Sequence, residues 1–374
     1  MFKQYHLKNY RFGLILTVIA LTTIGILIIG SAKESVQRMQ ILGLFLGLFV
    51  MAVVSLVDYA FILRFSWILY FINLVLLAGV ELFGEAAGGA VRWISIMGIR
   101  FQPSELGKII LILFFAAFFS KYKEQINTLP VLAASIVLIA VPLLLILKEP
   151  DLSTTIVTAM VFLTILFIAG LSYKIIGAVL VAMAPVTAIG IFIIAKYGDQ
   201  LGKKIYQFRR IMAWLHPEEY PDLALQQQNS VMAIGSGQLL GKGLNNNVVS
   251  SVKNGNFILE PQTDFIFAVA GEELGFIGSV AIVILLLLIA VQCILIGRKA
   301  KDLAGRIICC GVASVISYQS FVNICVATNL FPNTGLTLPF VSYGLTSLVS
   351  LFIGIGLVLN VGLQQTKYGG GNLE

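Results

Sequence analysis

The feature that most constrains this chain is a series of long apolar runs, each near the thickness of a lipid hydrocarbon core and separated by polar turns. They lie at 12–30, 41–57, 61–82, 106–119, 128–147, 152–170, 175–195, 274–296, 307–327 and 340–361. A helix of about 20 apolar residues crosses the hydrocarbon, and it satisfies its own backbone groups where no water can. The fourth run is short alone and borrows its first turn from residues 103–105. The reading is an all-α polytopic integral membrane protein with about ten transmembrane helices. Composition agrees, since 58% of the 374 residues are hydrophobic and 11% charged, against about 25% charged in a soluble domain. A soluble fold of this composition would leave large apolar patches bare.

Loop charge supplies the orientation, because basic residues concentrate on the cytoplasmic side. Lys3, Lys8 and Arg11 precede the first run, and alternate loops then carry Lys121 and Lys123, Lys174, and Arg298, Lys299, Lys301 and Arg306. Lys367 follows the last run on the same side, so both termini are expected in the cytoplasm. Lys33 and Arg38 fall on the other side. The outer face holds the longer loops, at 81–101 and, largest, at about 196–264 between the seventh and eighth spans. The whole of 1–374 is read as one membrane domain. The large loop contains Lys203, Lys204, Arg209, Arg210, Lys242 and Lys253. These either form a solvated face or attract anionic lipid headgroups or an anionic substrate.

The net charge of +7 thus reads as topology. No basic run with interleaved aromatics is present, so no nucleic-acid partner is expected. The first apolar run is too long for a cleavable signal. Cys293, Cys309, Cys310 and Cys325 lie in apolar stretches without CxxC spacing and read as small core residues. His6 and His216 are far apart in sequence, which argues against a His/Cys metal site.

Residues 235–243 look superficially like a phosphate loop, but no Ser or Thr follows Lys242. They read as a glycine-bent loop near the membrane whose backbone can still cradle an anion. Polar groups at the span ends carry more information, since charge at a membrane edge is costly. Asp264 stands where a polar loop turns apolar, and its plain reading is a helix cap; Glu272 and Glu273 follow about two turns later. In a second group, Arg92 and Trp93 precede Gln102, Pro103, Ser104, Glu105 and Lys108. Ser104 can cap the fourth span, and Glu105 and Lys108 at i and i+3 can pair on one helix face. Lys148, Glu149, Pro150 and Asp151 form a charged turn between the fifth and sixth spans. A stretch from Asn323 through Pro339, Ser342 and Gly344 joins the last two. The four groups share the outer side.

Together these groups resemble the shape, elongation, division and sporulation family, which includes RodA, FtsW and SpoVE. Blocks 92–108, 149–155, 233–243, 260–276 and 323–347 match in order and spacing, over nearly the whole chain. The resemblance implies a ten-span peptidoglycan glycosyltransferase of the bacterial plasma membrane. Such an enzyme polymerises lipid II, a disaccharide-peptide on undecaprenyl pyrophosphate, at the outer face during elongation, division or sporulation. It works beside a class B penicillin-binding protein that crosslinks the peptides. By the same resemblance Asp264 matches the essential carboxylate, and Glu105 and Lys108 match a charged pair on the fourth span. Gln262 stands where many members have His, which excludes an imidazole base at that position. Leu259 precedes Glu260 and Pro261 where many members have Pro-Glu, and Leu345 replaces a usual second Gly.

Substrate-binding or supporting roles are expected for Arg92, Lys148, Asp151, Arg209, Arg210, Lys242, Gln262, Thr263, Asn323 and Ser342 beside the charged pair. Departing undecaprenyl pyrophosphate needs its charge offset, by basic residues (Lys203, Lys204, Arg209, Arg210 and Lys242 are the candidates) or by a divalent cation, Mg or Mn. Two other readings fit the bundle: a lipid II flippase or transporter, and a non-catalytic scaffold for the transpeptidase.

Overall fold

The computed structural model describes residues 10–87, 90–96, 99–178, 206–245, 258 and 260–364, with positions 181, 185, 192, 193, 196, 198 and 201 besides. Its helices are α1 (Phe12–Ala32), α2 (Glu34–Leu56), α3 (Tyr59–Arg64), α4 (Ser66–Phe83), α5 (Pro103–Lys121), α6 (Leu129–Lys148) and α7 (Leu152–Ala169). After them come α8 (Tyr206–Leu215), α9 (Pro221–Ser236), α10 (Ile266–Arg298), α11 (Leu303–Ala327) and α12 (Leu345–Leu363). Among the described residues nine helices are long and apolar enough to cross a membrane, and the molecule is a polytopic α-helical membrane protein. The expected seventh span, 175–195, lies mostly outside the described residues, as do Lys203, Lys204 and Lys253.

Burial sorts the spans into an inner and an outer set. The apolar windows of α12, α5 and α11 are 83%, 78% and 72% buried, against 28% in each of α2, α4 and α6. The outer helices expose large apolar side chains such as Phe45, Phe49, Phe71 and Val75, which fits a lipid solvent. Lipid tails are as apolar as the side chains, so close packing and hydrogen bonds hold the inner helices together. Phe114 of α5 stacks on Tyr70 of α4 at 4.4 Å between centroids. All four cysteines are buried and free, as their apolar surroundings suggest.

Several boundaries differ from the sequence reading, each for a local reason. The third span is two helices: Asp58 caps α3 by accepting from the Ala60 amide at 2.9 Å, and Phe65 leaves helical geometry before α4. The fourth does begin at Pro103, but its N-cap is Gln102. Ser104 sits inside the first turn, where it accepts from the Gln102 amide at 3.2 Å. The last span starts at Leu345, with 340–344 forming a turn before it, and the Leu345 side chain packs over Gly43 of α2. The outer loop after α4 folds into an antiparallel meander, β1 (Glu85–Ala87), β2 (Ala90–Ile96) and β3 (Ile99–Phe101).

The eighth span begins earlier than expected, at Ile266, because α10 continues through a break at Gly275, where φ is 66° and ψ −163°. The glycine run after α9 fills that break. Lys242 and Gly243 donate their backbone N–H groups to the Glu272 and Glu273 carbonyls at 2.9 and 3.0 Å. Phe276 and Ile277 donate to the Gln238 and Leu239 carbonyls at 2.8 and 3.2 Å. A β-carbon at Gly241 would lie 2.2 Å from the Glu273 carbonyl oxygen, and one at Gly275 2.3 Å from the Gly241 nitrogen. These amides serve a broken helix at the membrane edge, which corrects the anion-cradle expectation for 235–243. α8 and α9 cap the end of α11: Trp214 donates to the Asn329 carbonyl at 3.0 Å, Gln227 to Val326 at 3.1 Å and Ser230 to Ala327 at 2.7 Å.

The opposite end of the bundle carries a separate polar network. Tyr59 donates its hydroxyl to Asp302 at 2.8 Å and its backbone N–H to Asn360 at 2.9 Å. Asn360 donates to the Ser55 carbonyl at 2.8 Å, and Gln364 donates to Asp58 at 3.0 Å and to Asn360 at 2.9 Å. Lys301 donates to Gln364, while Asp302 caps α11 by accepting from Gly305 at 2.7 Å.

Candidate active site

Asp264 ends the 260–265 turn that leads into α10. The N-cap of α10 is Phe265 and no side chain caps the helix, so the Asp264 carboxylate is not taken up by capping. The turn is stapled to the 332–344 segment. Ser342 donates to the Thr263 carbonyl at 2.6 Å and accepts from the Leu338 amide at 2.7 Å. Tyr343 N–H donates to the Gln262 carbonyl at 2.9 Å. Asn323, from α11, donates to the Asp264 carbonyl at 2.8 Å and to the Leu336 carbonyl at 2.6 Å. Gln262, Thr263, Asn323 and Ser342 therefore fix where Asp264 stands. The Gln262 amide turns back to donate to the Glu260 carboxylate.

Two guanidiniums converge on the same place. Gly335 has φ of 74°, and a β-carbon there would lie 3.4 Å from Asp264 Oδ2, 3.6 Å from Arg92 Nη1 and 3.7 Å from Arg210 Nη1. The positive φ and the missing side chain both call for glycine. Arg92 comes from β2 and Arg210 from α8. Arg210 donates to the Asn333 carbonyl at 3.2 Å. Arg92 donates to the Glu149 carbonyl at 3.3 Å and to the Pro150 carbonyl, and it lies 3.7 Å from Asp151. Asp151 caps α7 by accepting from Thr154 N–H at 3.0 Å, so one residue both starts a helix and orients an arginine. A small pocket opens between Arg92, Arg210, Ser153, Asn333 and Thr334.

Burial pushes the Asp264 carboxyl up to about 6; Arg210 and then Arg92 pull it back, while Asp151 and Glu260 add to the rise. Burial also raises Glu149 to about 8, with Asp151 adding and Arg92 opposing. Among the described residues neither Glu149 carboxylate oxygen has a hydrogen-bond partner. Among the described residues no three His, Cys, Asp or Glu side chains assemble as a metal set. The positive charge beside Asp264 comes from the Arg92 and Arg210 guanidiniums.

The other residues singled out from the sequence separate. Lys148 makes an exposed 3.6 Å pair with Glu81, of a kind that contributes little. Arg209 is exposed, so of the two adjacent arginines Arg210 faces the site. Lys242 lies against α10, 2.7 Å from Glu272. Glu105 and Lys108 pair at 2.8 Å in the interior of the bundle, and Lys108 also donates to Gln319 at 2.9 Å. Gly335, Gln319 and the buried state of Glu149 were not read from the sequence. The Pro/Gly content of 332–344 was the one signal pointing toward Gly335.

The comparisons with known proteins agree with one another. The profile of the cell cycle protein family of FtsW, RodA and SpoVE matches residues 2–367. A probable peptidoglycan glycosyltransferase FtsW of Geobacter sulfurreducens is 33% identical over 375 residues, covering 95% of each chain. The peptidoglycan glycosyltransferase MrdB of Escherichia coli K12 is 33% identical over 352 residues, covering 93% of this chain and 92% of that one. Among solved structures, a chain from a peptidoglycan synthase complex matches with a TM-score of 0.77 at 28% identity, covering 94% of this chain and 97% of its own. The rod shape determining protein RodA of Thermus thermophilus matches at 0.69 and 27% identity, covering 96% and 98%. A helical membrane bundle whose outer turns bring Asp264, Arg92 and Arg210 together is matched end to end in sequence and in fold, and the chain belongs to the FtsW, RodA and SpoVE family.

Proposed function

We propose that this chain is a peptidoglycan glycosyltransferase that polymerises lipid II at the outer face of the plasma membrane, with Asp264 as general base. The observation that carries the reading is an uncapped, partly buried carboxylate between two guanidiniums, at the rim of a lipid-facing bundle. In the reaction a sugar hydroxyl of one chain attacks the anomeric carbon of a lipid-linked donor. A new C–O bond forms, the bond from that carbon to the pyrophosphate oxygen breaks, and the pyrophosphate departs with the electron pair. Asp264 takes the hydroxyl proton as the bond forms, a contribution of about 10²–10⁴-fold. A carboxyl held at about 6 is ionised at neutral pH and more basic than an ordinary aspartate. Arg92 and Arg210 oppose the charge that builds on the leaving group. Arg92, Arg210 and Asp264 are thus the binding and catalytic set, with Asp151, Gln262, Thr263, Asn323 and Ser342 in support. The named relatives and the neighbour from a synthase complex support this activity and a class B penicillin-binding protein as partner. The whole of 1–374 acts as one membrane domain with the site outward.

The test is polymerisation of lipid II by purified Asp264→Asn in detergent, with its melting temperature measured beside the parent. Asparagine keeps size and leaves α10 intact. Melting is expected to stay unchanged while product falls by about 10²–10⁴-fold. Polymer made at the parental rate sinks the base assignment.

A further inference from the structure

Gln319 lies in the middle of α11 and is fully buried. Both ends of its amide are engaged, in opposite directions. Its oxygen accepts from Lys108 Nζ of α5 at 2.9 Å. Its nitrogen donates to the Thr337 carbonyl at 3.2 Å and to the Thr337 hydroxyl at 3.1 Å. The partners fix which way the amide points, because an ammonium only donates and a carbonyl only accepts. Lys108 already has Glu105 at 2.8 Å, so charge neutralisation alone does not call for a glutamine. The amide makes a connection: it ties a buried charge pair on α5 to the segment that bounds Asp264.

That segment is short and stiffly held. Thr337 follows Leu336, whose carbonyl accepts from Asn323 Nδ2 at 2.6 Å, and the same Asn323 amide holds the Asp264 carbonyl at 2.8 Å. Gly335, against which the Asp264 carboxylate and both arginines gather, is two residues before Thr337. Thr337 also meets Ser347, at the start of α12, at 3.3 Å. A continuous line of hydrogen bonds thus runs from the α5 charge pair through one amide to the backbone beneath the candidate base. We propose that Gln319 is a positioning residue, which sets the 335–337 backbone under Asp264 from the Glu105–Lys108 pair. It touches no reacting atom. The inference rests on the reading of Asp264 as the site of glycosyl transfer.

A double-mutant cycle tests it, using the purified full chain, lipid II as substrate, and melting temperature in the same detergent. Gln319→Leu removes both connections, Gln319→Glu keeps an acceptor for Lys108 but loses both donors, and Thr337→Val removes the hydroxyl at nearly constant volume. Each is expected to lower kcat by about tenfold or more, the scale set by small misplacements of a reacting group, with KM within about twofold. The Gln319→Leu/Thr337→Val double is expected to be no slower than the worse single, since both cut one line, and Thr337→Ser is expected to keep the parental kcat. Losses that multiply, a rise in KM with kcat retained, or parental kcat in Gln319→Glu and Thr337→Val overturn the proposal. Should Gln319→Leu fail to fold, Thr337→Val decides alone: parental kcat there overturns it. Asp264→Asn run alongside separates the two readings. If Asp264→Asn is inactive and the Gln319 series is flat, the positioning role falls and the base stands. If Asp264→Asn is active and the Gln319 and Thr337 losses are coupled, the base falls and the positioning effect stands.

Discussion

The two polar ends of this bundle are built by opposite rules. At the end carrying Asp58, Tyr59, Lys301, Asp302, Asn360 and Gln364, the side chains serve one another, and among the described residues none of their atoms is buried without a partner. At the Asp264 end the described residues include buried atoms of Glu149, Gln262, Asn323, Asn333 and Thr334 that have none. Burial without a partner costs about 1–3 kcal/mol per group, so an end that tolerates several of them is shaped for something besides its own stability. A closed network holds helices; an open one waits for groups from outside. The same contrast separates arginines that gather with Asp264 around Gly335, beside a small pocket, from a lysine that lies against Gln364 and the Tyr59 ring.

Apart from Asp264→Asn, whose effect is on rate, the strongest challenge to this contrast is at the α5 pair, which belongs to the satisfied kind but serves the open end. Lys108→Ala is expected to lower stability by about 3–5 kcal/mol, more than the double change Glu105→Leu/Lys108→Met, because a single loss leaves a buried charge alone. Denaturation in detergent reads it, and equal losses would mean the pair is solvated. Next is Asp302→Ala, which strips a helix cap and the Tyr59 partner. Stability is expected to fall by about 1–3 kcal/mol, while polymerisation per folded molecule stays at the parental level. A fall in turnover with melting preserved would erase the distinction between the ends.

The smaller effects concern pH. Glu149 is raised from 4.5 to about 8 by burial, so its neutral form is favoured in the fold. The stability it contributes is complete below pH 4.5 and is lost as pH rises through about 8. Glu149→Gln is expected to flatten that decline in melting temperature, and an unaltered slope would show that the carboxyl is ionised in the folded protein. Smallest is Arg210→Met. Arg210 is the larger of the two influences that lower Asp264, so its removal is expected to move the acid limb of polymerisation from about 6 toward higher pH. A limb that moves down, or stays, would separate Arg210 from the base.

Much of the fold was legible because lipid imposes a crude filter: an apolar run of the right length is a span, and Pro103 marked the start of α5 correctly. The filter is blind to breaks inside a run. Phe65 and Gly275 interrupt helices, and their polar neighbours Arg64, Ser66, Glu272 and Glu273 mark a helix face as readily as a break. Asp264 stood out because a carboxylate at the edge of a span is rare. Arg209 and Arg210 could not be told apart, since neighbours on a helix differ in facing by about 100° and the face is set by tertiary packing. Gln319 was passed over because one neutral amide in an apolar run reads as ordinary, and its worth comes from Lys108, 211 positions away in sequence, and from Thr337, 18 positions away. The glycine run was legible as a bent loop but its partner was not: a backbone that can cradle an anion has the same composition as one that can press against another backbone.

The junction between that run and α10 has a consequence for anyone who would exchange parts among related proteins. Four of its bonds join main-chain groups, which do not titrate, so acid and ionic strength act on the junction through the Lys242–Glu272 pair beside them. It admits no β-carbon at Gly237, Gly241 or Gly275, and it is intolerant of length. A chimaera that imports 221–245 from a relative must keep the interval from Gln238 to Gly243. One inserted residue would slide the register and strand the Glu272 and Glu273 carbonyls together with the Phe276 and Ile277 amides, four groups that α10 cannot serve by itself.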